Sequence, residues 1–284
     1  MYCDSTNYWF ETKRRTDNTG KPMQSSIAGK SFSTIYKSFC DQKLTFQIIH
    51  GIDKLTNPKL LLVLDSSFNP PHSAHQNLID RAVRHYKNQT LHVLLLLSVN
   101  NADKSPKPAT FSKRMEMMCI MANILQTKNI PTSVAITTCA KFVDKDKIIR
   151  QNFSSHGLIS YLVGFDTIVR ILDPKYYFPQ SLSEALKQFM SSTNFFCLTR
   201  DSGPELHEQT RYCTDISQGL YEPTIPREWG NKIQLELNDE KYGTVCSSNI
   251  RKAVLDNSVS EDLQDQLPPP LLAYVMKQGK TLFV

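Results

Sequence analysis

The chain alternates between short apolar or β-branched runs and longer stretches in which apolar residues recur at helical spacing. Runs at 44–51 (LTFQIIHG), 59–65 (KLLLVLD), 91–99 (LHVLLLLSV), 132–138 (TSVAITT), 158–164 (LISYLVG), 194–200 (NFFCLTR) and 232–237 (KIQLEL) predict strands. Amphipathic segments at 74–86, 111–125, 145–153, 182–190 and 248–255 predict helices between most of them. Stretches such as LLLVL and VLLLL are apolar throughout, as a strand covered by helices on both faces must be. The expected fold is therefore α/β, doubly wound on a mainly parallel sheet, with a helical C-terminal part.

Turn-forming residues refine this pattern. The stretch 201–230 holds three Pro and three Gly and reads as a long irregular excursion, of the kind that covers a site or connects subunits. At 267–283 (LPPPLLAYVMKQGKTLF), prolines precede a helical run that Gly279 should stop. Residues 1–30 are rich in Ser, Thr, Asn and Lys without sustained periodicity, and read as a flexible extension to a single domain at 31–284. Within that extension, AGKS at 28–31 imitates the end of a P-loop, but Gln24 stands where the leading Gly is needed and no strand precedes it.

Composition narrows the function. With 284 residues, 40% hydrophobic and 21% charged, the bulk of the chain has the makeup of a packed domain rather than a disordered one. The longest apolar run, 91–99, is far shorter than the roughly 20 residues of a membrane span. The first residues carry acidic groups and no apolar targeting core, so the expected location is cytoplasmic, with the nucleus left open. Seven Cys without a C-x-x-C pair suggest reduced thiols rather than a disulfide framework. A net charge of +6 suits an anionic ligand but does not by itself imply nucleic acid.

The chemistry gathers at predicted strand ends. In LDSSFNPPHSAHQNLI the strand ends at Asp65, a turn rich in Ser, Asn and Pro follows, and a helix begins near Ala74. Ligands of open α/β sheets bind outside such carboxyl ends. His72 and His75 stand three apart on the first turn of that helix, where free N–H groups already favour anions and imidazoles can donate to phosphate oxygens. Two histidines at this spacing can also share a metal, but no third ligand is spaced nearby, so no structural metal is expected. Asp166 follows a strand and can either bind a ribose hydroxyl or cap the helix TIVRIL. Ser247 and Ser248 open another helix, with Arg251 one turn on; together they can cap it or bind phosphate.

These residues resemble the nucleotidyltransferase α/β phosphodiesterase superfamily and, over a longer match, its nicotinamide mononucleotide adenylyltransferases, in a divergent fungal branch. The family's G-S-F-[ND]-P-x-H-x-G-H is similar to SSFNPPHSAH at 66–75, with Ser66 and Ala74 in place of glycines. The segment 98–118 resembles the family's lysine-bearing loop and R-x-x-M, which places Asn100, Lys104 and Lys107 toward the mononucleotide, sets Arg114 on the motif's arginine, and puts Asn101 where an acid is usual. LVGFD matches the C-G-A-D strand end, with Asp166 on the mononucleotide; Tyr177 stands where a stacking Trp is expected, and a second Trp is replaced near Cys139. FFCLTR places Arg200 at the nucleotide rim, GTVCSSNIR matches I-S-S-[TS]-x-[IV]-R, and PPLLAYVM matches the family's C-terminal helix.

The resemblance implies transfer of AMP from ATP to nicotinamide or nicotinic acid mononucleotide, giving the dinucleotide NAD or its acid form and pyrophosphate. ATP would be bound by Ser66, Ser67, Phe68, His72, His75, Arg200, Ser247, Ser248 and Arg251, with Mg²⁺ bridging the triphosphate; His72, His75 and Arg251 would carry the catalysis. ATP and the mononucleotide are the expected partners, with neither nucleic acid nor membrane and with oligomerisation left open. Two other readings compete: the same fold with another phosphorylated acceptor, and a degenerate site that binds or hydrolyses ATP and acts through protein partners.

Overall fold

The computed structural model describes residues 30–52, 58–100, 108–153, 157–201, 203–256 and 261–284. Lys104 and Lys107, and most of the N-terminal extension, lie outside them. The strands are β1 (Phe46–His50), β2 (Leu60–Asp65), β3 (Leu91–Ser98), β4 (Thr132–Thr137), β5 (Leu158–Gly164), β6 (Thr193–Leu198) and β7 (Ile233–Glu236). The helices are α1 (Phe32–Asp41), α2 (Ser73–His85), α3 (Phe111–Thr127), α4 (Phe142–Asn152), α5 (Phe165–Ile171), α6 (Leu182–Ser192), α7 (Leu206–Ser217), α8 (Glu240–Gly243), α9 (Ser247–Leu255), α10 (Glu261–Gln266) and α11 (Pro269–Gln278).

The sheet order is β1-β4-β3-β2-β5-β6-β7. Strands β2 to β7 run parallel, so the expected doubly wound architecture is present. From β2 the chain winds outward through β3 to β4, then returns to place β5 on the other side of β2 and winds outward again. The direction reverses between β2 and β5, the position at which open α/β sheets leave a crevice for ligands. Alternation along β2 explains why it is apolar throughout. Leu60, Leu62 and Leu64 pack with α2, α3 and the C-terminal helices, while Leu61 and Val63 pack with residues of α4 to α6 on the opposite face.

The first strand, β1, joins β4 antiparallel at the sheet edge, which leaves the sheet mainly parallel as expected. One expectation changes. The stretch 201–230 is not irregular throughout, because it contains α7, twelve residues long. Glu205 is the N-cap of that helix, and its backbone N–H is accepted by Glu208 at 3.2 Å. This acid-x-x-acid pair is a helix-start signal that the surrounding Pro and Gly obscured. The terminal helix α11 ends as expected at Gly279, whose φ of 57° is the left-handed conformation glycine adopts without strain.

Candidate active site

The turn after β2 forms the floor of the site. Phe68 is fully buried, with its backbone in the left-handed region at φ 45°, and its ring lies 5.3 Å from that of His75. His72 is the N-cap of α2 and His75 is its third residue. The His75 Nδ1 accepts the backbone N–H of His72 at 3.1 Å, which is the return half of a capping box. An acceptor Nδ1 in a neutral ring leaves the proton on Nε2. That N–H lies 3.0 Å from Ser66 Oγ and donates to it. The two imidazoles lie against each other, 3.7 Å between centroids and tilted by 33°.

Burial and the nearby positive charge of Arg200 hold His75 down, to about 3, while burial, His75 and Arg200 push His72 well below the ordinary histidine range. Both rings are therefore neutral donors at physiological pH, not cations. Arg200 supplies the charge instead. Its Nε, which has no hydrogen-bond partner among the described residues, lies 3.9 Å from Asp166 Oδ1. Asp166 is in the first turn of α5 and also pairs with Arg170 at 3.3 Å. A Cβ at Gly164 would stand 2.8 Å from Asp166 Oδ1 and 3.2 Å from Arg200 Cδ, so any side chain there would displace this pair.

The distant Ser-Ser…Arg element closes on the same turn. Ser247 Oγ donates to Pro70 O at 2.9 Å, and Arg251 donates through one nitrogen to Asn69 O at 2.8 Å and through another to Ser248 Oγ at 3.2 Å. The two bonds to Pro70 and Asn69 join residues 177 and 182 positions apart, and they bring α9 against the start of α2. Ser66, Phe68, His72, His75, Ser247, Ser248 and Arg251 are thus gathered on one turn, and Arg200, with Asp166 beside it, is close enough for its charge to act on both histidines; Ser67 is exposed on the turn among them.

Asn100 and Tyr177 sit differently. Asn100 follows β3 and donates to Thr138 O at 3.2 Å, bridging to the end of β4. Tyr177 is turned inward, its hydroxyl donating to Ile171 O at 2.8 Å and its ring facing the Lys141 ammonium at 6.0 Å. No described contact joins either residue to the histidines. A pair that sequence reasoning missed lies beneath the turn: Asp65 and Lys145 form a buried ion pair at 2.5 Å, tying the end of β2 to α4. Each is an ordinary charged residue in its own segment, and only the fold places them together.

Apart from Phe68, which packs beneath His75, and Asp166, which two arginines already hold, the residues gathered at the turn are hydrogen-bond donors and cations, the chemistry of a site for phosphates. Residues 63–213 match the family model described as cytidylyltransferase-like. A curated relative from Schizosaccharomyces pombe, provisionally named nicotinamide mononucleotide adenylyltransferase, is 34% identical over 250 residues, which cover 87% of this chain and 95% of the relative. The chain belongs to the cytidylyltransferase-like family and, within it, to the nicotinamide mononucleotide adenylyltransferases. A solved Plasmodium falciparum nicotinic acid mononucleotide adenylyltransferase, complexed with NaAD, shares the fold with a TM-score of 0.50 at 14% identity, over 78% of this chain and 98% of that one.

Proposed function

We propose that the protein transfers the adenylyl group of ATP to the 5′-phosphate of nicotinamide or nicotinic acid mononucleotide. A phosphate oxygen of the mononucleotide attacks the α-phosphorus in line, the bond to the bridging oxygen breaks, and pyrophosphate leaves with that electron pair. The nucleophile is already anionic, so no general base is needed. The task is to hold two mutually repelling phosphates together and to stabilise the charge that spreads over the pentavalent centre.

The observation that carries this reading is the docking of Arg251 and Ser247 on the same turn that presents His75. His75 Nε2–H is oriented by backbone, stays neutral, and offers a donor to an oxygen of the reacting phosphate. Arg251, Ser248 and the free N–H groups at the start of α9 suit the outer phosphates. Arg200 stands between the histidines and Asp166, where it can neutralise phosphate while Asp166 meets a ribose hydroxyl. The donor set fits an anion rather than a resident cation, so Mg²⁺ would be held by the triphosphate oxygens and supply charge neutralisation there.

The test is a coupled dinucleotide-formation assay on the purified protein with ATP and each mononucleotide in turn. Dinucleotide and pyrophosphate in equal amounts are expected. ATP binding with neither product would overturn transfer.

A further inference from the structure

We propose that the buried ion pair of Asp65 and Lys145 is a positioning element of the candidate site, fixing the root of the turn that presents Ser66 and His75. The proposal rests on the adenylyl-transfer reading for what the turn does, but the placement is read from contacts of this chain alone. Asp65 is the last residue of β2, and Lys145 is the fourth residue of α4. Their side chains are 10% and 5% exposed and meet at 2.5 Å. One peptide bond further on, the Ser66 N–H donates to Leu96 O at 3.3 Å, and Ser66 Oγ accepts from His75 Nε2 at 3.0 Å.

Strand alternation gives the pair its leverage. Leu61 and Val63 face the α4 side of the sheet and Leu60, Leu62 and Leu64 the α2 side; Asp65 continues the first row and Ser66 the second. The ion pair on one face and the serine–histidine bond on the other therefore hang from consecutive residues of one backbone, and any movement of Asp65 carries Ser66 with it. The crest of the same turn is held from elsewhere, by Ser247 on Pro70 O and Arg251 on Asn69 O. Root and crest together set where the turn stands.

Lys145 reaches Asp65 from a rigid base. Its ammonium lies 5.0 Å from the centre of the Phe142 ring, which meets the fully buried Tyr161 ring edge-on at 5.2 Å. The next residue, Asp146, anchors α4 to β6 by accepting from Thr193 Oγ1 at 3.1 Å. Stability alone does not call for such a pair: β2 is otherwise apolar, and well-packed apolar residues often replace a buried ion pair without loss. Apolar contact has no direction, whereas an N–H···O bond sets a separation and an angle. The pair also cancels a fixed negative charge at the root of a turn suited to phosphates.

The experiment replaces the pair by apolar groups, Asp65→Leu with Lys145→Met, and reads melting temperature, steady-state kinetics and the NMR signals of the His75 ring. The double variant should melt close to wild type. Its kcat should be about tenfold or more lower with each KM within about threefold, because a displaced turn misaligns in-line attack more than it weakens either substrate. The His75 signals should move in the free protein. Wild-type kcat, or unmoved His75 signals, in a folded double variant would make the pair a purely structural staple and overturn the proposal. Should the double variant not fold, Asp65→Glu decides, because it keeps both charges and lengthens the arm by one methylene: a severalfold lower kcat with displaced His75 signals is expected, and wild-type values refute the role. If the wild type forms no dinucleotide, the His75 signals decide alone: displacement keeps the positioning role while the transfer reading fails, and unmoved signals end both.

Discussion

Ser66 Oγ and His75 Nε2 lie 3.0 Å apart, so the proton most useful to a phosphate is engaged by a hydroxyl of the protein itself. Where Ser66 stands, the resembled family motif has glycine, which has no such acceptor. A nucleotide must displace this bond before His75 can serve it. Ser66→Gly is expected to raise kcat/KM for ATP by about two- to tenfold, the worth of one released neutral hydrogen bond. Steady-state kinetics would show it, and a fall in kcat/KM would mean that the hydroxyl makes a phosphate contact of its own.

His75→Ala should lower kcat by more than about a hundredfold, the scale of losing one oriented donor to a developing oxyanion. The same donor must stay neutral: the ring signals of His72 and His75, followed by NMR from pH 8 to 5, should not titrate, since both are depressed and His75 lies at about 3. A midpoint near 6.5 for either ring would contradict the depression by burial from which their neutrality is argued.

Acid should weaken the fold through a third histidine, remote from the site. His92 is buried against Ser133 Oγ at 3.0 Å, and burial pushes it down to about 4. Between the ordinary histidine value and about 4, the unfolded chain takes up a proton that the native state refuses. Stability is therefore full above about pH 6.5 and declines as pH falls, by up to about 1.4 kcal/mol per pH unit for this group. Urea unfolding at pH 7, 6 and 5 should give a flatter pH dependence for His92→Gln than for wild type. An equal slope would remove His92 from the account.

Lys145→Met leaves the Asp65 carboxylate buried and unpaired, and should cost about 3–5 kcal/mol in urea unfolding. Asp65→Leu combined with Lys145→Met should recover most of that loss, because the pair is only 10% and 5% exposed and its desolvation cost disappears with it. A double variant as unstable as the single one would show that the pair contributes more than its own cancellation.

The strands were legible because a parallel sheet buried on both faces demands unbroken apolar runs, and LLLVLD and LHVLLLLS meet that demand. His72, His75 and Arg251 were legible through local order: each sits near a helix start marked by small or polar residues. Pairing direction was not, since FQIIH carries the same pattern whichever way it docks on β4. Helix α7 was hidden by the Pro and Gly around it, although Glu205 and Glu208 marked its start. The pairing of Asp65 with Lys145 depends on a distance between segments, which no local pattern encodes.

The sheet order has a last consequence, for the sequence of events in unfolding. β2 and β5 each have a neighbouring strand on both sides, whereas β1 and β7 each have one. Amide exchange should therefore begin at the two margins and reach the centre last. The turn leading to His75 and the helix start bearing Asp166 issue from those central strands, so the floor of the candidate site is rooted in the most persistent part of the molecule.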